Sequence, residues 1–225
     1  MLDLPQVTLV CVDCKQPETA LKALQYSSKH INFAKIILLG NYKPNNVPDH
    51  IEFISIPKIN STHEYSIFVI KHLTEYINTK HCLVIQSDGF VVNPQLWKED
   101  FLNYDYIGAP WSQQNPWVES YDARVGNGGF SLRSKKFLEF SNQFDSCNEL
   151  GEDSFLCIRK YEEAIDYGIK FAPFELAVKF SYENPCVEFD GNSWDTKIFF
   201  DENKHFGWHG KNFLNTNELM SLKHR

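Results

Sequence analysis

No apolar run in this 225-residue sequence approaches the roughly 20 residues needed to cross a bilayer. Any membrane contact is therefore expected to be peripheral. No apolar segment with a basic leader precedes the first cysteine, so a secretory route is not indicated. A disulfide or zinc framework is missing too. The six cysteines, Cys11, Cys14, Cys82, Cys147, Cys157 and Cys186, contain one CxxC spacing, Cys11-Val12-Asp13-Cys14, with no second pair and no helix opening between its members. Reduced thiols in a cytoplasmic protein are the expectation. Cationic excess is absent as well: 22 Lys and Arg face 29 Asp and Glu, a net charge of -7, which makes nucleic acid a poor partner. There is no linker-like stretch, internal repeat or low-complexity tract.

What the chain does have is apolar and aromatic residues, 43% and 15% of the total, enough for one compact domain with a substantial core. Val7 to Val12 reads as a strand buried on both faces. Pro17 stands where a helix can begin, with Ala20, Leu21 and Leu24 at helical spacing behind it. Further strands are expected from Ala34 to Leu39, from Glu52 to Ile56 and from Cys82 to Gln86. Between the last two, Ser61 and Glu64 have capping-box spacing ahead of Ile67, Ile70, Leu73 and Ile77 on one helix face. Strands alternating with helices predict an α/β fold with a mainly parallel sheet covered on both faces. The ligand crevice of such a sheet lies outside the carboxyl ends of its strands.

Asp88 falls at one of those ends, followed at once by Gly89, and Asp-Gly is equally a good turn dipeptide. The second half is less regular and richer in Gly, Asn and aromatics. A nucleotide-sugar enzyme must neutralise a departing diphosphate, and a divalent ion on hard ligands does this with few protein groups. Asp88 and His209 are the candidate ligands for manganese or magnesium. A second carboxylate must deprotonate the acceptor hydroxyl, and Asp153 suits that role if the helix it opens points at the pocket. Asp153 is equally suited to capping that helix, a role that would keep it ionised. Gly126-Asn127-Gly128-Gly129 would let main chain approach a ligand or adopt positive φ, or would simply turn into a strand at Phe130 to Leu132. Trp111, Trp117 and Trp208 could stack on a sugar or a base, or could be packing residues.

In order, QSDG, YDYIGAPW, VGNGGFSLRS, GEDSFLC, PFELAVKFSYE and FGWHG resemble a glycosyltransferase-like family catalogued as a domain of unknown function. The motifs run from about residue 82 to 210, with a looser match before them. This resemblance implies a single GT-A, Rossmann-like domain over residues 1–225, with a nucleotide-binding half to about 92 and an acceptor and catalytic half from about 93. It implies an enzyme that moves a sugar from a nucleotide-diphosphate donor to a hydroxyl of a glycan or glycoconjugate. The strand-end motif of that wider fold is usually Asp-x-Asp; Gln86-Ser87-Asp88 keeps only the last carboxylate. Glu152-Asp153 matches the acidic pair before a helix in inverting members, where the second carboxylate acts, and His209 matches the late histidine of the metal site. By analogy with the fold, Val12, Asp13 and Tyr65 would join Gln86, Ser87, Asp88, Gly128 and Gly129 on the donor, and Trp111 and Trp208 would meet the acceptor.

Two other classes stay open. A non-catalytic carbohydrate- or nucleotide-binding module would accommodate neutral Gln86. A sugar-nucleotidyltransferase would need a basic, Gly-rich loop after the first strand, and Cys14-Lys15-Gln16-Pro17 is not one.

Overall fold

The computed structural model describes residues 1–112, 118, 124–188, 196–198 and 200–210. In chain order the main elements are β1 (Leu2–Val12), α1 (Pro17–Ser28), β2 (Ile31–Gly40), β3 (Glu52–Ser55), α2 (Thr62–Lys71), α3 (Leu73–Tyr76), β4 (His81–Ile85), β5 (Gly89–Val91) and β6 (Tyr106–Gly108). There follow β7 (Phe130–Ser134), α4 (Lys135–Ser141), α5 (Glu152–Ser154), α6 (Tyr161–Asp166), α7 (Phe174–Phe180), β8 (Ser181–Tyr182), β9 (Cys186–Glu188), β10 (Thr196–Ile198) and β11 (Gly207–His209).

The central sheet has six strands in the order β3-β2-β1-β4-β7-β6. Strands β3, β2, β1 and β4 are parallel, β7 runs against both its neighbours, and β6 closes the edge. Alternation along the second half of β1 explains why Val7 to Val12 is nearly continuously apolar and buried. Leu9 and Cys11 face one core with Leu38, Leu83 and the α1 residues Ala20, Leu21 and Leu24. Val10 and Val12 face the other, with Ile37, Val84 and the α2 residues Phe68 and Val69. Both faces are dry, as a parallel sheet with helical crossovers requires.

The local signals act as the sequence predicts. Pro17 is the first residue of α1. Ser61 caps α2 by accepting from the Glu64 amide at 3.1 Å, and Glu64 reaches back to the Asn60 amide at 2.8 Å. The expected single helix after Ser61 breaks at His72 into α2 and α3. The helix expected after Asp153 is a single turn, α5, running into a π-helical segment, Phe155–Arg159.

A smaller sheet, β5-β11-β8, lies beyond the end of β4. Its middle strand pairs antiparallel with β5, setting His209 opposite Gly89, and parallel with β8, setting Trp208 opposite Tyr182. This sheet carries the end of the described chain back to the strand-end crevice.

Candidate active site

Asp88 owes its place to a turn after β4. The Gly89 amide donates to the Gln86 carbonyl at 3.0 Å, and the Gly210 amide donates to the Asp88 carbonyl at 3.2 Å. The turn role and the crevice position hold together: the turn puts the carboxylate at the rim. A cleft of about 670 Å³ opens there, lined by Val12, Asp13, Tyr65, Gln86, Ser87 and Asp88 together with Lys15, Lys58 and Ser61. That is the size of a small-molecule site. All six expected donor residues outside the glycine loop thus share one cavity wall. Asp13 also holds the entry to α1, its Oδ1 accepting from the Lys15 and Gln16 amides at 2.7 and 2.6 Å. The Tyr65 hydroxyl is buried in this wall beside the Gln86 side chain, without a hydrogen bond of good geometry among the described residues. Such an orphan is costly unless something else completes it.

His209 stands at the Asp88 side of this cleft. Its Nε2 lies 3.5 Å from Asp88 Oδ1 and 3.2 Å from Gln86 Oε1, while Nδ1 lies 3.2 Å from Glu183 Oε1. Burial alone would lower its pKa, but Asp88 and Glu183 outweigh this and raise it to about 9. The pocket therefore favours positive charge between the carboxylates. For a divalent ion with bonds of roughly 2.1 Å, adjacent ligand atoms sit about 3.0 Å apart. From His209 Nε2, Gln86 Oε1 at 3.2 Å and Asp88 Oδ1 at 3.5 Å come close to that spacing, and a carboxylate, an amide oxygen and an imidazole are donors such an ion accepts. Among the described residues no group of three or more His, Cys, Asp or Glu could hold a metal. An ion here would keep most of its coordination for water or phosphate oxygens, as magnesium commonly does.

Asp153 is the third member. It is not the helix cap, which is Gly151; it sits in the first turn of α5. Its Oδ1 accepts from the Ser154 amide at 2.7 Å and its Oδ2 from the Gly128 amide at 3.0 Å. Nor is it kept firmly ionised. Burial first, then the Glu152 charge, raise its pKa to about 7.

Glu152, expected beside it as a catalytic carboxylate, is instead engaged by Arg133. It forms an ion pair with Arg133 at 2.7 Å, with both side chains buried. Arg133 also donates to Ser131 Oγ and to the Gly128 carbonyl. The pair fixes the glycine loop from behind.

The loop glycines serve protein packing, not positive φ; among described glycines only Gly168 and Gly210 take that conformation. A Cβ on Gly129 would meet His209 Nε2 at 2.0 Å, and one on Gly128 would meet Glu152 Oε1 at 2.3 Å. One built on Gly126 would meet the Trp111 ring at 2.2 Å. Gly129 also binds the strand end, its carbonyl accepting from the Gln86 amide at 3.0 Å.

Two expected acceptor platforms are corrected by burial. Trp111 is 8% exposed and packs among Phe155, Leu156 and Cys157, while Trp208 is 0% exposed and stacks on Tyr182. Neither offers an open ring face to a sugar. Trp117 lies outside the described residues. Reading the sequence missed Glu183 and Arg133. Glu183 was visible only as the last letter of PFELAVKFSYE; Arg133 was signalled by the polar alternation Ser131, Arg133 inside an apolar strand.

A family model covers residues 50–195, more than half of the chain, and its description is protein of unknown function (DUF5672). The chain belongs to the DUF5672 family. No curated protein matches the sequence significantly. Among solved structures, the chain is similar to the galactosyltransferase LgtC in complex with donor and acceptor sugar analogs. The TM-score is 0.53 and the identity 13%, over 96% of this chain and 95% of that one. An active-site mutant of LgtC gives a TM-score of 0.55 at 13% identity with the same coverage. The apo glycosyltransferase GlyE of Streptococcus pneumoniae TIGR4 aligns at a TM-score of 0.43 and 17% identity, over 76% of this chain and 46% of that one. The LgtC likeness establishes the fold: this DUF5672 member has a GT-A architecture. Among the described residues no helix is long and apolar enough to cross a membrane.

Proposed function

We propose that this protein is a glycosyltransferase, moving a sugar from a nucleotide-diphosphate donor to a hydroxyl of a glycan or glycoconjugate with inversion. One observation carries the reading: the 670 Å³ cleft ends at Asp88, His209 lies 3.5 Å from that carboxylate, and the Gly128-Gly129 main chain bridges Asp153, which accepts from the Gly128 amide, to the His209 ring packed on Gly129. The nucleoside would lie in the first half of the chain, against Val12, Asp13 and Tyr65, whose orphaned hydroxyl would gain a partner. The acceptor would enter from the second half.

Asp88 and His209, with Gln86 beside them, would hold a manganese or magnesium ion. When bound, such an ion offsets the charge of the leaving diphosphate. Asp153 takes the proton of the acceptor hydroxyl as its oxygen attacks the anomeric carbon. The bond from that carbon to the diphosphate oxygen breaks, and the diphosphate leaves with the electron pair. A carboxylate whose pKa is raised to about 7 by burial and by Glu152 is well matched to this role at neutral pH, because it is more basic than an ordinary carboxylate. Five cysteines, Cys11, Cys14, Cys82, Cys147 and Cys157, are free thiols, which supports a cytoplasmic location.

A second reading, a nucleotide-sugar-binding module without turnover, is favoured by one observation. Neutral Gln86 occupies the position where the wider fold usually has a carboxylate. Release of nucleoside diphosphate from a panel of nucleotide sugars, with and without Mn²⁺, separates the two. The glycosyltransferase reading expects turnover in the wild type and its near loss in Asp153→Asn with donor binding kept. Tight donor binding with no release in the wild type would establish the module.

A further inference from the structure

His209 has polar neighbours at both ring nitrogens, and those at Nδ1 have no part in the mechanism above. Glu183 Oε1 and Asn127 Nδ2 each lie 3.2 Å from Nδ1. Asn127 Oδ1 accepts from the Phe130 amide, so its NH2 group is the end turned toward the imidazole. Nδ1 therefore faces one acceptor and one donor.

An imidazole bound to a cation has given up one proton and carries one N–H and one lone pair. The lone pair at Nε2 is available to a cation beside Asp88 and Gln86 only if the proton sits on Nδ1. Asn127 favours the opposite tautomer, because its N–H would donate to an Nδ1 lone pair and leave the ring proton on Nε2. Glu183 is the acceptor that opposes this, and its full charge makes the stronger hydrogen bond. Its backbone follows β8, which pairs with β11, so the carboxylate and the ring belong to one small sheet.

Resting on the metal reading above, we propose that Glu183 is the positioning residue that holds the His209 proton on Nδ1 and so presents Nε2 to the divalent cation. Carboxylates in this position commonly change metal affinity by about 10- to 100-fold when removed.

The test is titration of Mn²⁺ alone into the wild type and into Glu183→Gln, Glu183→Asp and Glu183→Leu, following free Mn²⁺ by electron paramagnetic resonance. Thermal melts show which variants are folded. Glutamine keeps a carbonyl within reach of Nδ1–H; aspartate keeps the charge but withdraws it by one methylene. The proposal expects all three variants to lose about 10- to 100-fold: glutamine because a neutral acceptor no longer outweighs Asn127, aspartate because its charge no longer reaches Nδ1, and leucine because it offers no acceptor. If the leucine variant does not fold, the other two still decide. Glu183→Asp binding like the wild type would make Glu183 a charge at a distance only and overturn the proposal. Equal affinities throughout would overturn it as well, with the metal reading intact. No Mn²⁺ binding by the wild type would bring down both.

Discussion

Replacing Gly129 by alanine tests how tightly the His209 ring is seated. Where space is free and φ allows it, Gly→Ala stabilises by about 0.4–1 kcal/mol. Gly129 has no positive φ, so its backbone accepts alanine; the obstacle is space. The new Cβ would lie 2.0 Å from His209 Nε2, 2.3 Å from Cε1 and 2.4 Å from Cδ2. An ordinary contact needs about 3.5 Å, so the ring must retreat by roughly 1.5 Å. Its hydrogen bonds to Glu183 and Gln86 are already 3.2 Å long and would not survive that shift. Overpacking costs about 1–3 kcal/mol and a lost charged hydrogen bond about 1.5–3 kcal/mol. Together these give about 2.5–6 kcal/mol, and at about 2–4 °C per kcal/mol for a chain of this size the melting temperature should fall by roughly 5–25 °C. Differential scanning calorimetry measures this, and a Mn²⁺ titration of the folded variant should show at least tenfold weaker binding. A Gly129→Ala protein that melts with the wild type and binds Mn²⁺ equally well would refute the packing argument.

Asp153→Asn should change the pH dependence of stability. The folded pKa near 7 lies above the ordinary carboxylate value, so from about pH 4 to 7 the folded protein keeps a proton that the unfolded chain releases. Stability from this group is full below pH 4 and lost as pH rises through 7. The melting temperature of the variant relative to the wild type should accordingly rise between pH 5 and pH 8, and a constant difference would count against the shift. Arg133→Met would leave Glu152 buried without its partner, at a cost of about 3–5 kcal/mol in urea denaturation. Trp208→Ala should cost about 3–5 kcal/mol, as expected of a fully buried packing residue.

Much of the fold was legible because its signals are local. The apolar runs of β1, β2, β3 and β4, the proline of α1 and the capping box of α2 each act within a few residues of sequence. Asp88 could be placed because strand ends in such sheets are predictable from those runs. The small sheet β5-β11-β8 could not be, since it pairs Gly89 with His209 and Ser181 with Gly207 across long stretches of chain. That is why the Trp208 ring looked available for stacking. Strand β11 turns it into the core beside Phe90 and Tyr182, while its neighbour His209 turns to the site. Glu183 and Arg133 were hidden for a related reason: an acidic or basic side chain shows its partner only when the fold has assembled. Glu152 and Asp153 are adjacent letters, yet α5 sends one to Arg133 and the other to Gly128.

The central claim is that the cleft beside Asp88 holds a nucleoside diphosphate through a cation. Its most direct test is calorimetric titration of UDP, GDP, CDP and ADP, with and without Mn²⁺, into the wild type and Asp88→Asn. At least one diphosphate should bind the wild type ten times more tightly with Mn²⁺, and Asp88→Asn should lose that gain. Binding indifferent to Mn²⁺ and to the substitution, or no binding by any of the four, would contradict it.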